Sequence, residues 1–199
     1  MSVKLMVVVL LSAAGVCAAA VARANPVELS AGLGLGKPSG DNSDNFGPDI
    51  GGAISVGSRV HPNFGIHLRL AFDRLGPDDP PLGDASMWMG RLQLEPAAHV
   101  VQERVDFSLG PTLGLYYLSA EFDGPGPTDT EGSSRGFTFG ARVNLMFLAR
   151  PDVAIGPYFA YDRLFPTKTC VTVGTLSEAC NDDPDQDQGF WQLGLAATF

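Results

Sequence analysis

The chain has 199 residues, 45% of them hydrophobic, with 13 basic against 22 acidic side chains and a formal net charge of −9. An acidic balance excludes a nucleic-acid binder, which needs a basic footprint. Beyond the N-terminal segment no apolar run is long enough for a membrane helix, and the hydrophobic residues are spread through alternating segments instead.

Residues 1–24 read as a signal peptide. Lys4 supplies the positive start, residues 5–20 are apolar, and Ala22-Arg23-Ala24 forms an A-x-A cleavage site before Asn25-Pro26. The apolar run is shorter than the roughly 20 residues that span a bilayer. Cys17 does not mark a lipoprotein, because Val16 stands where such signals need a small residue. Cleavage would remove Lys4 and Arg23 and leave residues 25–199 with a net charge of −11.

From there the chain alternates at period two in eight segments, each predicted to be a β-strand. The first, 27–36, sets Leu29, Ala31, Leu33 and Leu35 against Ser30, Gly32, Gly34 and Gly36. The second, 50–60, alternates less cleanly. In the third, Phe64, Ile66, Leu68, Leu70 and Phe72 interleave with Gly65, His67, Arg69, Ala71 and Asp73. The fourth, 87–100, opposes Trp88, Leu92, Leu94 and Ala98 to Arg91, Gln93 and Glu95. The fifth, 105–122, and the sixth, 137–147, repeat the pattern, the latter with Thr138, Gly140, Arg142 and Asn144 on its polar face. The seventh spans 153–163 and the eighth 189–199.

A soluble sandwich also alternates, so the connections decide. His61-Pro62-Asn63, Gln102-Glu103-Arg104 and Arg150-Pro151-Asp152 are short, whereas the four remaining connections are long and rich in Gly, Pro, Asp and Ser. Short turns at one end and long loops at the other are a mark of outer-membrane barrels, not of Greek keys. On the apolar face, Phe64, Phe107, Phe147 and Phe199 fall at the turn end, and Phe72, Trp88, Tyr117, Phe137, Tyr161 and Trp191 at the loop end. Two aromatic girdles flanking an aliphatic band are what two lipid interfaces demand. The fold class expected is all-β: an eight-stranded antiparallel up-and-down transmembrane β-barrel.

The polar face would line the lumen. It carries Arg59, Arg69, Arg91 and Arg142 with Glu28, Asp73, Glu95, Asp106 and Asp162, and its glycines leave room for the arginines. Mixed signs in a tube this narrow are expected to pair and fill it; a narrow selective pore is the alternative. Pro96, Pro111 and Pro157 each remove a ladder hydrogen bond. A bulge is expected at each, and a lateral gap for a hydrophobic ligand is the alternative.

Cys170 and Cys180 follow the signal segment in one apparent loop, where export favours a disulfide over a metal or catalytic site. The loops are acidic, but Asp183-Pro184-Asp185-Gln186-Asp187 lacks the Gly and the distal Glu of a calcium loop and reads as solvated charge. Of the three histidines, His61, His67 and His99, none lies in the loop half. With no triad-like set evident, no catalytic residue, metal or cofactor is expected.

The last strand, Gln192-Leu193-Gly194-Leu195-Ala196-Ala197-Thr198-Phe199, resembles the C-terminal assembly signal of bacterial outer-membrane barrels. Gln192, Gly194, Ala197 and Phe199 fill its four places. Residues 25–199 together resemble the small eight-stranded outer-membrane barrel proteins of the Gram-negative envelope. That resemblance implies outer-membrane residence, termini in the periplasm, long loops outside, and insertion by the barrel-assembly machinery. It implies outer-membrane lipid and lipopolysaccharide as neighbours, no nucleic acid, and a monomer. A structural or surface-interaction role is expected first, then a narrow porin-like channel or hydrophobic-ligand conduit, then a lipid-modifying enzyme. Replacing Phe199 with Asp is expected to abolish efficient assembly. Wild-type amounts of heat-modifiable barrel in outer-membrane fractions would contradict it.

Overall fold

The computed structural model describes residues 27–40, 47–76, 85–122, 130–150, 152–174, 178–182 and 188–199. Residues 1–24, including the expected signal segment, lie outside the described residues, as do most of the acidic loop residues, among them 183–187.

Nine strands form one antiparallel sheet: β1 (Val27–Ser39), β2 (Asp49–His61), β3 (Phe64–Leu75), β4 (Ala85–Gln102), β5 (Val105–Phe122), β6 (Thr130–Arg150), β7 (Val153–Val173), β8 (Ala179–Asn181) and β9 (Gln188–Thr198). Each of β1 to β7 pairs with the next, β7 pairs with β9, and β9 pairs with β1. The sheet therefore closes on itself as an eight-stranded barrel. The ninth strand, β8, lies outside the ring and pairs only with β7.

The strands exceed their predicted lengths at the loop end. β6 begins at Thr130 and β7 runs on to Val173, so that Thr130 pairs with Val173 well beyond the barrel wall on the opposite side. Alternation was too weak there to mark a strand, because Glu131-Gly132-Ser133-Ser134 and Thr167-Lys168-Thr169 carry no apolar member. Cys170 thus belongs to β7, not to a loop. It faces Cys180 of β8 in the ladder, and the two form a disulfide with Cα atoms 4.1 Å apart.

The turn end is tight. Pro62-Asn63 joins β2 to β3 and Glu103-Arg104 joins β4 to β5, with Glu103 in the left-handed region at φ 50°.

Burial is inverted relative to a soluble domain. Leu33, Ile54, Phe72, Leu113, Phe137 and Leu195 are more than half or nearly half exposed, whereas Arg69, Arg91, Gln93, Asp162 and Gln192 are 0–1% exposed. Between the two girdles the outward face of the described strands bears no Asp, Glu, Lys, Arg or His. This is the face that lipid requires.

No register shift occurs at Pro96, Pro111 or Pro157, although the β6–β7 shift falls beside Pro166. The shifts lie at Arg59/His61, Arg135/Gly136 and Leu148/Arg150. Pro96 and Pro111 fall opposite each other on β4 and β5, and the ladder skips residues 95–97 and 110–112 yet resumes in the same register. The expected bulges are therefore absent; at Pro96 and Pro111 the two prolines face to face forfeit the same rungs and leave no extra residue to accommodate, and Pro157 keeps its register with Leu195. The wall stays shut: a Cβ at Gly110 would overlap the carbonyl of Pro96, and one at Gly156 that of Leu145. Each Gly-Pro pair thus lets two strands approach where hydrogen bonds are missing.

Leu68→Arg and Leu195→Arg, both between the girdles, are each expected to cost roughly 2–4 kcal/mol. Urea titrations in lipid vesicles would show it, with Leu195→Phe as a neutral control.

Candidate functional site

The inward residues of the eight barrel strands stack into layers along the lumen. At the turn end, Glu28 of β1, Arg59 of β2, His67 of β3, His99 of β4 and Asp106 of β5 meet. Arg59 Nε lies 2.8 Å from Glu28 Oε1, and its Nη2 donates to Asp106. His67 Nε2 is 3.2 Å from Glu28 Oε2, and His99 Nδ1 is 3.1 Å from Asp106 Oδ1. The guanidinium thus bridges two carboxylates, each of which also holds an imidazole.

Above this layer Arg142 of β6 donates to Glu95 of β4 at 3.2 Å. Arg142 and Arg69 both lie over the ring of Tyr158, at 4.6 and 5.5 Å from its centroid. Arg69 makes no ion pair among the described residues. Its Nη2 donates to Gln192 Oε1 at 2.7 Å, and Gln192 Nε2 donates to Asp73 Oδ1 at 2.8 Å. The amide of Gln192 therefore links a buried cation to a buried anion.

The third layer centres on Arg91. It donates to Asp73 at 2.7 Å and to Asp162, whose other oxygen accepts from Thr112 at 2.6 Å. All four of these side chains are 0–2% exposed. Arg91 also stands 4.5 Å from the centroid of Phe190.

Beyond Arg91 the lumen turns apolar. Leu75, Met89, Tyr116, Leu164 and Phe190 are buried together, with Met87 and Leu118 packed against them. This lid spans the loop end of the barrel. At the turn end a cavity of about 70 Å³ remains, lined by residues that include Ser30, Ser55, His67, His99, Ser108 and Arg142. It has room for a few water molecules and for no organic ligand.

All nine arginine and carboxylate positions singled out in the sequence, Arg59, Arg69, Arg91, Arg142, Glu28, Asp73, Glu95, Asp106 and Asp162, point into this lumen. Gln192 does too, whereas Ala197 and Phe199 lie on the outward phase of β9 and Gly194 on the inward one. The sequence reading missed the lid and Tyr158. It sorted the aromatics into girdles and treated the inner face as wholly polar, yet Tyr158 alternates in phase with Asp162, and Phe190 with Gln192. It also gave the inner glycines to the arginines. A Cβ at Gly34 would come 2.9 Å from Tyr158 Oη, and one at Gly36 would overlap the Phe190 ring, so those two glycines admit rings.

Two members of a triad-like set, His99 and Asp106, do meet, which alternation along single strands could not foretell. No hydroxyl completes the set, since His99 Nε2 has no partner among the described residues. Among the described residues the arrangement holds charge and brings no hydroxyl or thiol to His99.

Residues 8–199 match the model of the outer membrane protein β-barrel domain family. The chain belongs to that family. It is an integral β-barrel of the bacterial outer membrane.

Among solved structures it is similar to Neisserial surface protein A, with 14% identity over 86% of this chain and 95% of that one and a TM-score of 0.62. It is also similar to the attachment invasion locus protein of Yersinia pestis, at 20% identity, 88% and 99% coverage, and a TM-score of 0.58. A major outer membrane protein of Thermus thermophilus gives 15%, 87% and 100%, and 0.64. At these identities the likeness is one of fold. Comparison with curated protein sequences gives no significant match.

Removing one partner of a buried ion pair strands the other. Arg91→Met leaves Asp73 and Asp162 without a cation and is expected to cost about 3–5 kcal/mol. Adding Asp73→Asn and Asp162→Asn keeps acceptors for Gln192 and Thr112 and should restore most of the loss in vesicle unfolding titrations.

Proposed function

We propose that this barrel is a closed outer-membrane protein that conducts no solute and works through its outward-facing loop end as a structural or surface-interaction element. The observation that carries this reading is the lid of Leu75, Met89, Tyr116, Leu164 and Phe190 over the Arg91 layer. An ion entering the lumen would meet first an apolar stopper and then three layers of mutually bonded charge. The shut seams at Gly110 and Gly156 weigh equally against a lateral conduit.

In this reading the short turns and both strand termini of the barrel face the periplasm. The tall β5–β6–β7 wall, tied to β8 by Cys170–Cys180, stands outside the cell. Surface and attachment proteins are among the similar structures, and the Yersinia pestis protein has also been solved with the heparin analogue sucrose octasulfate. A sulfated ligand does not suit this chain, whose loops carry Asp41, Asp44, Asp78, Asp79, Asp84, Asp123, Asp129 and Asp182. Charge complementarity favours a basic partner surface.

Refolded protein in planar bilayers is expected to show no unitary conductance steps, and regular steps would refute the closed lumen. Protease added to intact cells should cut on the loop side and spare the Pro62-Asn63 and Glu103-Arg104 turns.

A further inference from the structure

We propose that the turn-end mouth of the lumen binds one divalent transition-metal ion of the imidazole-seeking class, Cu²⁺, Ni²⁺ or Zn²⁺, through His67 Nδ1 and His99 Nε2. The two histidines stand on neighbouring strands, β3 and β4, with ring centroids 6.1 Å apart and an interplanar angle of 61°. Two imidazoles sharing one ion at metal–nitrogen distances of about 2.0–2.1 Å hold their ring centres roughly 5–6 Å apart. The rings therefore stand at the spacing a shared ion needs. Gly65 keeps the gap between them open: a Cβ there would lie 3.0 Å from His67 Cε1 and 3.1 Å from His99 Nε2.

The way each ring is held is the first argument. His67 Nε2 lies 3.2 Å from Glu28 Oε2, and His99 Nδ1 lies 3.1 Å from Asp106 Oδ1. An ionised carboxylate only accepts, so these two nitrogens carry the ring protons. In the neutral rings the lone pairs then fall on His67 Nδ1 and His99 Nε2. A ring N–H tied to a carboxylate, with the opposite nitrogen left for an ion, is how proteins orient metal-binding imidazoles. His99 Nε2 is buried without a hydrogen-bond partner among the described residues, on a side chain only 6% exposed. A buried lone pair costs stability until a ligand meets it.

Charge and access supply the second argument. The turn-end cavity lies against both rings and is lined by Glu28, Glu95 and Asp106 against Arg59 and Arg142. Three carboxylates facing two guanidinium groups leave an excess of negative charge, which favours a cation. The cavity also has room for the waters that would complete the coordination of an ion held by two protein nitrogens. Arg59, Glu28 and His67 are partly exposed, whereas Arg91 and Asp73 deeper in the lumen are fully buried. An ion thus reaches the site from the turn end without crossing the Arg91 layer or the lid. Hard cations such as Mg²⁺ and Ca²⁺ seek oxygen ligands, but Arg59 engages both Glu28 and Asp106. Imidazole selects Cu²⁺, Ni²⁺ and Zn²⁺ instead. The site depends neither on the closed lumen nor on the orientation proposed above.

The test uses the untagged full chain in detergent micelles with Cu²⁺ as the probe. The tightest equivalent bound by wild-type protein should show electron paramagnetic resonance coupling to two imidazole nitrogens, a readout that needs no variant. Losing the carboxylate behind a metal-bound imidazole costs about 10–100-fold in affinity, and losing the imidazole costs at least as much. His67→Gln and His99→Gln should therefore each weaken binding at least tenfold in calorimetric titrations while keeping heat-modifiable migration. His61→Gln, in the exposed β2–β3 turn, should bind like wild type. Undiminished affinity in either the His67 or the His99 variant, or a wild-type spectrum without imidazole coupling, would overturn the proposal. Displacement of the ion by millimolar Mg²⁺ would also overturn it, because that would mark a site made of carboxylate oxygens.

Discussion

Hydrocarbon offers no partner for a peptide group, so every backbone N–H and C=O within it must bond to the chain itself. A sheet meets that demand only by closing. Here closure is the β1–β9 ladder from Ser30–Thr198 to Ser39–Gly189, with Leu29 and Phe199 exchanging backbone bonds at 2.8 and 3.1 Å at its turn end. Once the ring is shut, the period-two geometry of each strand sends alternate side chains to lipid and to a tube too narrow for much water. Lipid takes the apolar set. Between the girdles the lumen inherits every charged residue the described strands contain.

That inheritance sets the energetic problem of the molecule. In a soluble domain the core is held by apolar burial. Here lipid gives the outer face the same apolar surroundings in any arrangement, so specificity falls to the lumen. Charges out of water are costly unless geometry and hydrogen bonds are complete. The layers answer this with few unpaired ions: Arg59 between Glu28 and Asp106, Arg142 on Glu95, Arg91 between Asp73 and Asp162. Arg69 is the exception, and it is met by a neutral relay through Gln192 and by the face of Tyr158. Because Gln192 sits on β9 and both its partners sit on β3, this link spans the lumen and ties the closing strand to the opposite wall.

Much of this was legible in the sequence because the relevant rules are local. Alternation at period two gave the eight barrel strands and the inward phase of Arg69, Arg91 and Arg142, and the unequal connections separated a barrel from a sandwich. What was not legible depends on partners far apart in the chain. Arg91 meets Asp162 across 71 positions, and no single strand reveals which carboxylate it will face. The lid was missed because Leu75, Met89, Tyr116 and Leu164 each look like a strand-end residue alone; only the register assembles them. Pro96 and Pro111 misled for the same reason. Each by itself reads as a bulge, and only their apposition makes a bulge unnecessary.

The formal charge of the chain is a further case in which a sum conceals an arrangement. An excess of acid suggests a surface that repels anions, but the sign is sorted by depth. Acidic residues crowd the loops, paired charges occupy the lumen, and the outward face changes from uncharged to basic at the loop-end girdle, where Arg74 lies beside Trp88 and Arg135 beside Tyr117. Screening over about 8–10 Å at physiological ionic strength makes each zone nearly independent of the next. The same separation lets one short acidic chain carry cations beside its loop-end girdle and a store of paired charge within its lumen.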